Sequence, residues 1–436
     1  MFDYKMILIY VLLLPLFGRI VQQKSFAKIA MGVATAILPF AFMYEVQESL
    51  SMDTVMGLLF AYAIMQILTK KRDLFDYYKI AVALLCLTLI KTIALIFTMI
   101  CLAVWIVDWF IRRKENGRAG TELLFWIGSG ALSLLAYFSW KLFCARNGNT
   151  NYLSRNLSDS LKGNFALPDY AAETIGNMFR SLFTMSTNLG RFGFSVAAVL
   201  GLVIAGLLIL KYLGQLKKSD VAAFLVLFLG FAGYFAVLVY TYLFVFEPWE
   251  AESLSSLDRY LGTYSLMFAT LLLYRLSFIG EKEERCWQDA VLPLVSILLL
   301  LSLTGSGLLD VLLPGRYLEK RRAMYEDRQE VHAEMAAFLA MDLEPSTMLT
   351  VNCEGNTVYD RAIDYEVLPH ISRPLNTTEY APEDRNAAIN EAVADMNPDY
   401  VYFSAHERAY EDIGRYTLPA AYQRVKGFDG LFHRVP

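Results

Sequence analysis

YKIAVALLCLTLIKTIALIFTMICLAVWIVDWFI, residues 78–111, decides the fold of this chain. The run is too long for one membrane crossing, because about 20 residues rising about 1.5 Å each span the hydrocarbon of a bilayer. Lys91-Thr92 interrupts it near the middle, so the pattern predicts two short helices joined by a tight turn. The Lys91 ammonium then belongs at a membrane face, where it snorkels to water or pairs with a phosphate.

Working outward, further apolar runs fall at about 5–21, 28–47, 54–69, 122–143, 193–213, 220–246, 260–279 and 288–312, which with the divided run makes ten spans. Composition agrees: of 436 residues, 56% are hydrophobic and 19% charged, and the mean hydropathy is +0.39. The expected fold class is therefore mainly α, a polytopic helical membrane protein of about ten transmembrane helices with a small C-terminal extracytoplasmic α/β domain. A net charge of -4 argues against a nucleic-acid partner. The five cysteines (Cys86, Cys101, Cys144, Cys286, Cys353) stand singly, so neither a disulfide framework nor a zinc site is implied. The first apolar run follows Lys5 directly, contains Pro15 and lacks a small-x-small cleavage site; it reads as a membrane helix, not a signal peptide.

Basic residues set the orientation. Arg19 to Lys28, KKRD at 70–73, RRKENGR at 112–118, KK at 217–218 and EKEER at 281–285 alternate with loops poor in Lys and Arg, notably YEVQESLSMD at 44–53 and the stretch from Glu247 to Asp258. The positive-inside rule makes the basic set cytoplasmic and the acidic set external, together with the loop 144–192 and the C-terminal tail. Two features disturb this parity: the basic GRYLEKRR at 315–322 falls outside, and so does Met1.

Beyond the membrane domain, 1–313, the character changes to a soluble α/β domain, 314–436. Residues 317–341 mix apolar and charged residues at helical spacing. TMLTVNC and DYVYFS read as strands, PEDRNAAINEAVADM as a helix opened by proline, and YQRV with GLFHRV as a closing hairpin. In the external loop, residues 171–183 are amphipathic, and Ile175, Met178, Phe179, Leu182 and Phe183 are expected to dip into lipid.

Charges cost several kcal/mol inside hydrocarbon, so those gathered at a membrane rim mark either an ordinary loop or a site. Asp53, at the start of a span, can cap its helix or serve as an external base, with Glu45 and Glu48 nearby. In EPWEAESLSSLDRYLGTYSL, from Glu247, the residues Glu250, Glu252, Asp258, Arg259 and Tyr260 stand where the chain re-enters the bilayer. The planar guanidinium of Arg259 suits a phosphate, and Arg with Tyr at a rim also makes a plain interfacial anchor. The four histidines, all in the soluble domain, share no ligand spacing, and no metal site is read there. The sequons at Asn156 and Asn376 are short patterns that occur by chance.

MDTVMGLLFAY, a span ending LIKTIAL, a long external loop, DRYL opening a later span, and a small α/β tail together resemble the GT-C superfamily of bacterial membrane glycosyltransferases. The likeness is one of layout over most of the chain, sharpest in DxxxGLLFAY and DRYL. It implies an enzyme of the bacterial cell membrane that moves a sugar from a polyprenyl-phosphate carrier to an external glycan, lipid or protein acceptor. On that mapping Arg259 and Lys91 hold the carrier phosphate, Asp258, Tyr260, Glu250 and Glu252 complete a headgroup pocket, and Asp53, Glu48 and Glu45 are the acidic candidates. No cofactor is certain, and a divalent cation stays open.

The chain departs from that family in one respect. GT-C enzymes usually carry their acid in the first external loop, whereas here the first span leads into basic GRIVQQK. Either Asp53 takes the role, or the main acid lies upstream of Met1. Other readings are an O-antigen polymerase or ligase, a transporter or flippase, and a non-catalytic membrane protein; a transporter predicts paired halves with broken helices, which the sequence lacks.

Overall fold

A computed structural model of the chain describes residues 2–21, 31–36, 38–39, 52–69, 72–114, 117–146, 167–184, 195–246, 248–278, 322, 329, 331–333, 335–336, 338–341, 346–352, 363, 366–367, 370–377, 380–381, 383–403, 416–426 and 430–435. The chain divides into two compact units, Met1–Leu312 and Leu313–Pro436.

The first unit is helical: α1 (Phe2–Val21), α2 (Asp53–Ile67), α3 (Leu74–Ile90), α4 (Ala94–Arg112), α5 (Ala119–Arg146), α6 (Ala171–Thr184), α7 (Val196–Tyr212), α8 (Lys218–Phe244), α9 (Pro248–Ser253) and α10 (Leu257–Leu276). The long apolar run does break at Lys91, which adopts an extended backbone, and α4 starts three residues later. Asp73 caps α3 by accepting from the Asp76 amide, while Asp76 returns the bond to the Asp73 amide. Among the described residues three helices, α4, α5 and α8, are long and apolar enough to cross a membrane, and α2 and α7 are shorter apolar helices. The expected span 288–312 and most of 28–47 lie outside the described residues.

Helix α2 is apolar on every face, and a helix of that kind stabilises itself only when surrounded. All its residues but Tyr62 are buried. Its Phe60 stacks on Phe97 of α4 at 5.0 Å and meets Tyr264 of α10 edge-on at 5.5 Å. Tyr234 of α8 closes this aromatic core against Phe97 at 4.9 Å. Gly57 sets the spacing of α2 on α10, because a Cβ there would lie 2.7 Å from the Thr263 carbonyl oxygen.

Where α2 ends, carboxylates and guanidiniums from four helices interlock. Arg72 lies 2.8 Å from Asp108 and 2.6 Å from Glu122, all three almost fully buried. Arg112 joins Asp108 and donates to the Ile67 and Thr69 carbonyls at 2.8 and 2.9 Å, satisfying the frayed end of α2. Trp105 donates to Glu122 at 2.9 Å, and Arg275 pairs with Asp220. Charges buried this deeply persist only when paired and hydrogen-bonded.

The amphipathic segment is α6, but it does not lay all five expected side chains outward. Met178 is fully buried in the helical core, Leu182 and Ile175 are partly covered, and Phe179 and Phe183 are exposed. The apolar arc of α6 is wide enough for one edge to pack on its neighbours while the other faces away.

The second unit holds a five-stranded sheet in the order β2-β1-β3-β5-β4, from β1 (Thr347–Asn352), β2 (Ile371–Asn376), β3 (Tyr400–Phe403), β4 (Tyr422–Arg424) and β5 (Leu431–Arg434), with α11 (Arg385–Met396) crossing between β2 and β3. β1 pairs parallel with β2 and β3, and the β4–β5 hairpin closes the sheet antiparallel. Two small cores result, one around Phe338, Met348 and Tyr402 and one around Val351, Ile389 and Phe403. Strand β2, ISRPLN, escapes the sequence reading because it is polar and carries Pro374; proline is tolerated there because β2 lies at the sheet edge.

Candidate functional site

Asp53 opens α2 as its first helical residue, and the preceding Met52 takes the cap position without a side-chain bond. Asp53 forms ion pairs, in a position where the helix dipole also favours its negative charge. The carboxylate is 1% exposed. Its Oδ1 accepts from Lys91 Nζ at 3.0 Å, and its Oδ2 lies 3.1 Å from Arg259 Nε. The second contact is off the line of a hydrogen bond and works by charge.

Lys5 of α1, itself buried, lies within the field of the same carboxylate. Lys91, in the turn between α3 and α4, and Arg259 of α10 therefore meet on one buried acid. The Lys91 and Arg259 side chains keep 37% and 42% of their surface exposed, so both reach beyond Asp53. Tyr260 lies beneath them, its ring 4.8 Å from Lys91 Nζ and 5.9 Å from Arg259 Cζ, where the π-face attracts both charges.

The connection into α10 is held firmly. Leu254 and Ser256 both have left-handed backbones, φ 52° and 63°, which for residues with a side chain costs about 1–3 kcal/mol each. Tyr242 donates to the Ser255 carbonyl, and Tyr234 donates to the Tyr260 carbonyl at 3.2 Å. These two tyrosines of α8 fix the turn from which Asp258, Arg259 and Tyr260 project.

Beside the cluster lies a cavity of about 580 Å³, with Lys91, Tyr260, Glu250 and Thr241 at its polar rim and Ile96, Tyr137, Val237 and Val245 among its walls. Glu250, on the short helix α9, is half-buried and belongs to this rim. Glu252 is exposed on the same helix, and Asp258 is half-buried in the first turn of α10. Glu45 and Glu48 lie outside the described residues.

Of the sequence candidates, then, Asp53, Lys91, Arg259 and Tyr260 meet in one cluster and Glu250 joins them at the cavity, although they are spread over four elements. Sequence reasoning missed Lys5, Tyr234, Tyr242 and Tyr137. Lys5 carried a signal, a single cation directly before an apolar run, whereas a tyrosine within an apolar helix carries none. Among the described residues no group of three His, Cys, Asp or Glu side chains could hold a metal ion.

No protein-family model, curated protein or solved structure matches this chain.

Proposed function

We propose that this chain is a membrane glycosyltransferase that takes a sugar from a polyprenyl-phosphate carrier and transfers it to a glycan, lipid or protein acceptor at the external face of the bacterial cell membrane. One observation carries the reading: a buried carboxylate pairs with both Lys91 and Arg259, and Lys91 lines a largely apolar cavity beside it. A phosphate on an isoprenoid tail has that same build, an anion joined to hydrocarbon.

In this reading the helices cross the bilayer about ten times. The end of the helical unit holding Arg19, Arg72 and Arg112 is cytoplasmic, and the end holding Asp53 is external. An acceptor hydroxyl attacks the anomeric carbon, a new carbon–oxygen bond forms, and the bond from that carbon to the phosphate oxygen breaks. Polyprenyl phosphate leaves with the electron pair, and its developing charge falls on Lys91 and Arg259. The hydroxyl proton passes to a carboxylate. Asp53, engaged by cations on both oxygens, positions Lys91 and Arg259, while Glu250, half-buried at the cavity rim, is placed to receive the proton.

The test is binding of decaprenyl phosphate to the purified full chain in nanodiscs. Arg259→Ala removes one charge-assisted contact worth about 1.5–3 kcal/mol, so affinity should fall roughly 10- to 100-fold. Unchanged affinity in a folded variant removes the phosphate role from this cluster.

A further inference from the structure

In the second unit an imidazole fastens the start of β1. His370 is buried one residue before β2, and its Nδ1 lies 3.2 Å from the Ser346 amide nitrogen and 2.8 Å from the Ser346 hydroxyl oxygen. A backbone amide can only donate, so Nδ1 is the acceptor and the ring is the neutral tautomer with its proton on Nε2. The Ser346 carbonyl in turn accepts from the Ile371 amide at 2.9 Å, the first rung between β1 and the edge strand β2. The ring therefore holds the residue that begins this pairing.

One more proton changes the pattern. An Nδ1–H would point at the Ser346 N–H, donor against donor. The Ser346 hydroxyl can turn and accept from the new Nδ1–H, but the amide cannot, and it loses its partner. Imidazoles take up a proton in the mildly acid range. A group folded in its unprotonated form contributes stability above that range and loses it as pH falls, so acid weakens this fastening.

The next residue is fastened by different chemistry. The Thr347 amide and hydroxyl both donate to Asp399 Oδ2, at 2.9 and 3.0 Å, and tie β1 toward β3. A carboxylate keeps its charge well below the histidine range, so the tie toward β2 opens first and the tie toward β3 outlasts it. The other titratable groups on the surrounding elements do not reproduce this. Glu366, four residues before His370, bonds to His332 at 2.8 Å, a pair that gains charge on acidification and so acts in the opposite sense. Arg373 stands on β2, Arg434 pairs with Asp399, and Tyr400 packs behind Phe338, which meets the His370 ring at 5.0 Å. Among the described residues no charged side chain bonds to that ring.

We propose that the second unit carries an acid-opened latch: protonation of His370 releases Ser346 and detaches the start of edge strand β2, while β1 stays joined to β3. The freed rung leaves backbone N–H and C=O groups unpaired at the sheet edge, where another strand can pair with them. The latch goes beyond the glycosyl-transfer reading and does not depend on it.

The test uses the full chain in phosphatidylcholine nanodiscs, taken from about pH 7.5 to about pH 5, across the histidine range. Backbone hydrogen exchange, corrected for the intrinsic rate at each pH, reads the protection of the Ile371 amide. Slow deuteration of the imidazole carbon between the two nitrogens, read by mass spectrometry, gives the pH at which His370 itself gains its proton. Protection of Ile371 should fall about tenfold or more, the effect of stranding one backbone amide, with the same midpoint as His370 protonation. The Phe403 amide, bonded to the Gly430 carbonyl at 2.7 Å between β3 and β5, should keep its protection. His370→Asn places an oxygen where Nδ1 stood, which accepts from the Ser346 amide and takes up no proton in this range, so protection of Ile371 should become independent of pH. Three results overturn the latch: constant protection in the unsubstituted chain, a fall at a pH where His370 does not titrate, or an equal fall with His370→Asn. The first two need no variant and decide the matter even where His370→Asn fails to fold.

Discussion

Replacing Gly57 by alanine tests how the helix packing makes the site. A Cβ at this position lies 2.7 Å from the Thr263 carbonyl oxygen, against about 3.4 Å for an ordinary contact, so α2 and α10 must separate by about 0.7 Å. Asp53 stands one turn before Gly57, and Arg259 one turn before Thr263, whose hydroxyl donates to the Arg259 carbonyl at 2.9 Å. The same displacement opens the 3.1 Å Asp53–Arg259 contact to about 3.8 Å, at the edge of a direct ion pair. Overpacking costs about 1–3 kcal/mol, and alanine's helix preference over glycine returns about 1 kcal/mol, so net destabilisation is about 0–2 kcal/mol. Affinity for decaprenyl phosphate should fall about tenfold while the melting temperature drops only a few degrees. Gly233→Ala, where an added Cβ meets nothing within 4 Å, is the control and should stabilise by up to about 1 kcal/mol with affinity intact. If Gly57→Ala behaves like Gly233→Ala in both measurements, close approach of α2 and α10 is not what sets the cluster.

Asp53→Asn removes the charge that holds Lys91 and Arg259, and sugar transfer from a polyprenyl-phosphate donor should be lost; full turnover would take Asp53 out of the site. Asp108→Asn removes the buried carboxylate that Arg72 and Arg112 share, a defect of about 3–5 kcal/mol that thermal unfolding in detergent would register. In the second unit, bonds from the Thr347 amide and hydroxyl, with Arg434 alongside, hold the Asp399 carboxyl below its usual range. Its contribution is present above the unfolded carboxyl pKa and lost as pH falls through the lower folded value. Protection of the β1 amides, relative to their intrinsic exchange at each pH, should therefore fall on acidification, and Asp399→Asn should remove that dependence; an unchanged protection profile would deny Asp399 the role.

Much of the helical unit was legible because apolar periodicity and length are local properties. The division at Lys91 follows from an ammonium that cannot stay in hydrocarbon, and the all-round apolar face of α2 already implies a central position. Strand β2 was hidden because edge strands tolerate the polar residues and proline that argue against strands elsewhere. The buried acids Asp108, Glu122 and Asp220 were hidden for another reason: each lies near the end of an apolar run and reads as a rim charge, and only tertiary contact supplies the arginine that allows burial. The candidate cluster was legible as residue types at a rim, but the pairing of Asp53 with both Lys91 and Arg259 joins residues far apart in sequence.

The two ends of α2 show why one polar cluster is assigned to structure and the other to function. At its C-terminal end three guanidiniums, of Arg72, Arg112 and Arg275, meet three carboxylates, of Asp108, Glu122 and Asp220, nearly all out of reach of solvent. Charge is balanced, and the arginines spend their remaining donors on the helix's own carbonyls. At the N-terminal end one buried carboxylate binds Lys91 and Arg259, whose side chains stay partly exposed, and Lys91 lines a cavity beside the Tyr260 ring. An anchor is complete when its charges cancel internally. Under the proposed function the N-terminal cluster is completed by an anion that brings its own hydrocarbon, and the clamp at the far end of α2 would keep the cluster rigid for it.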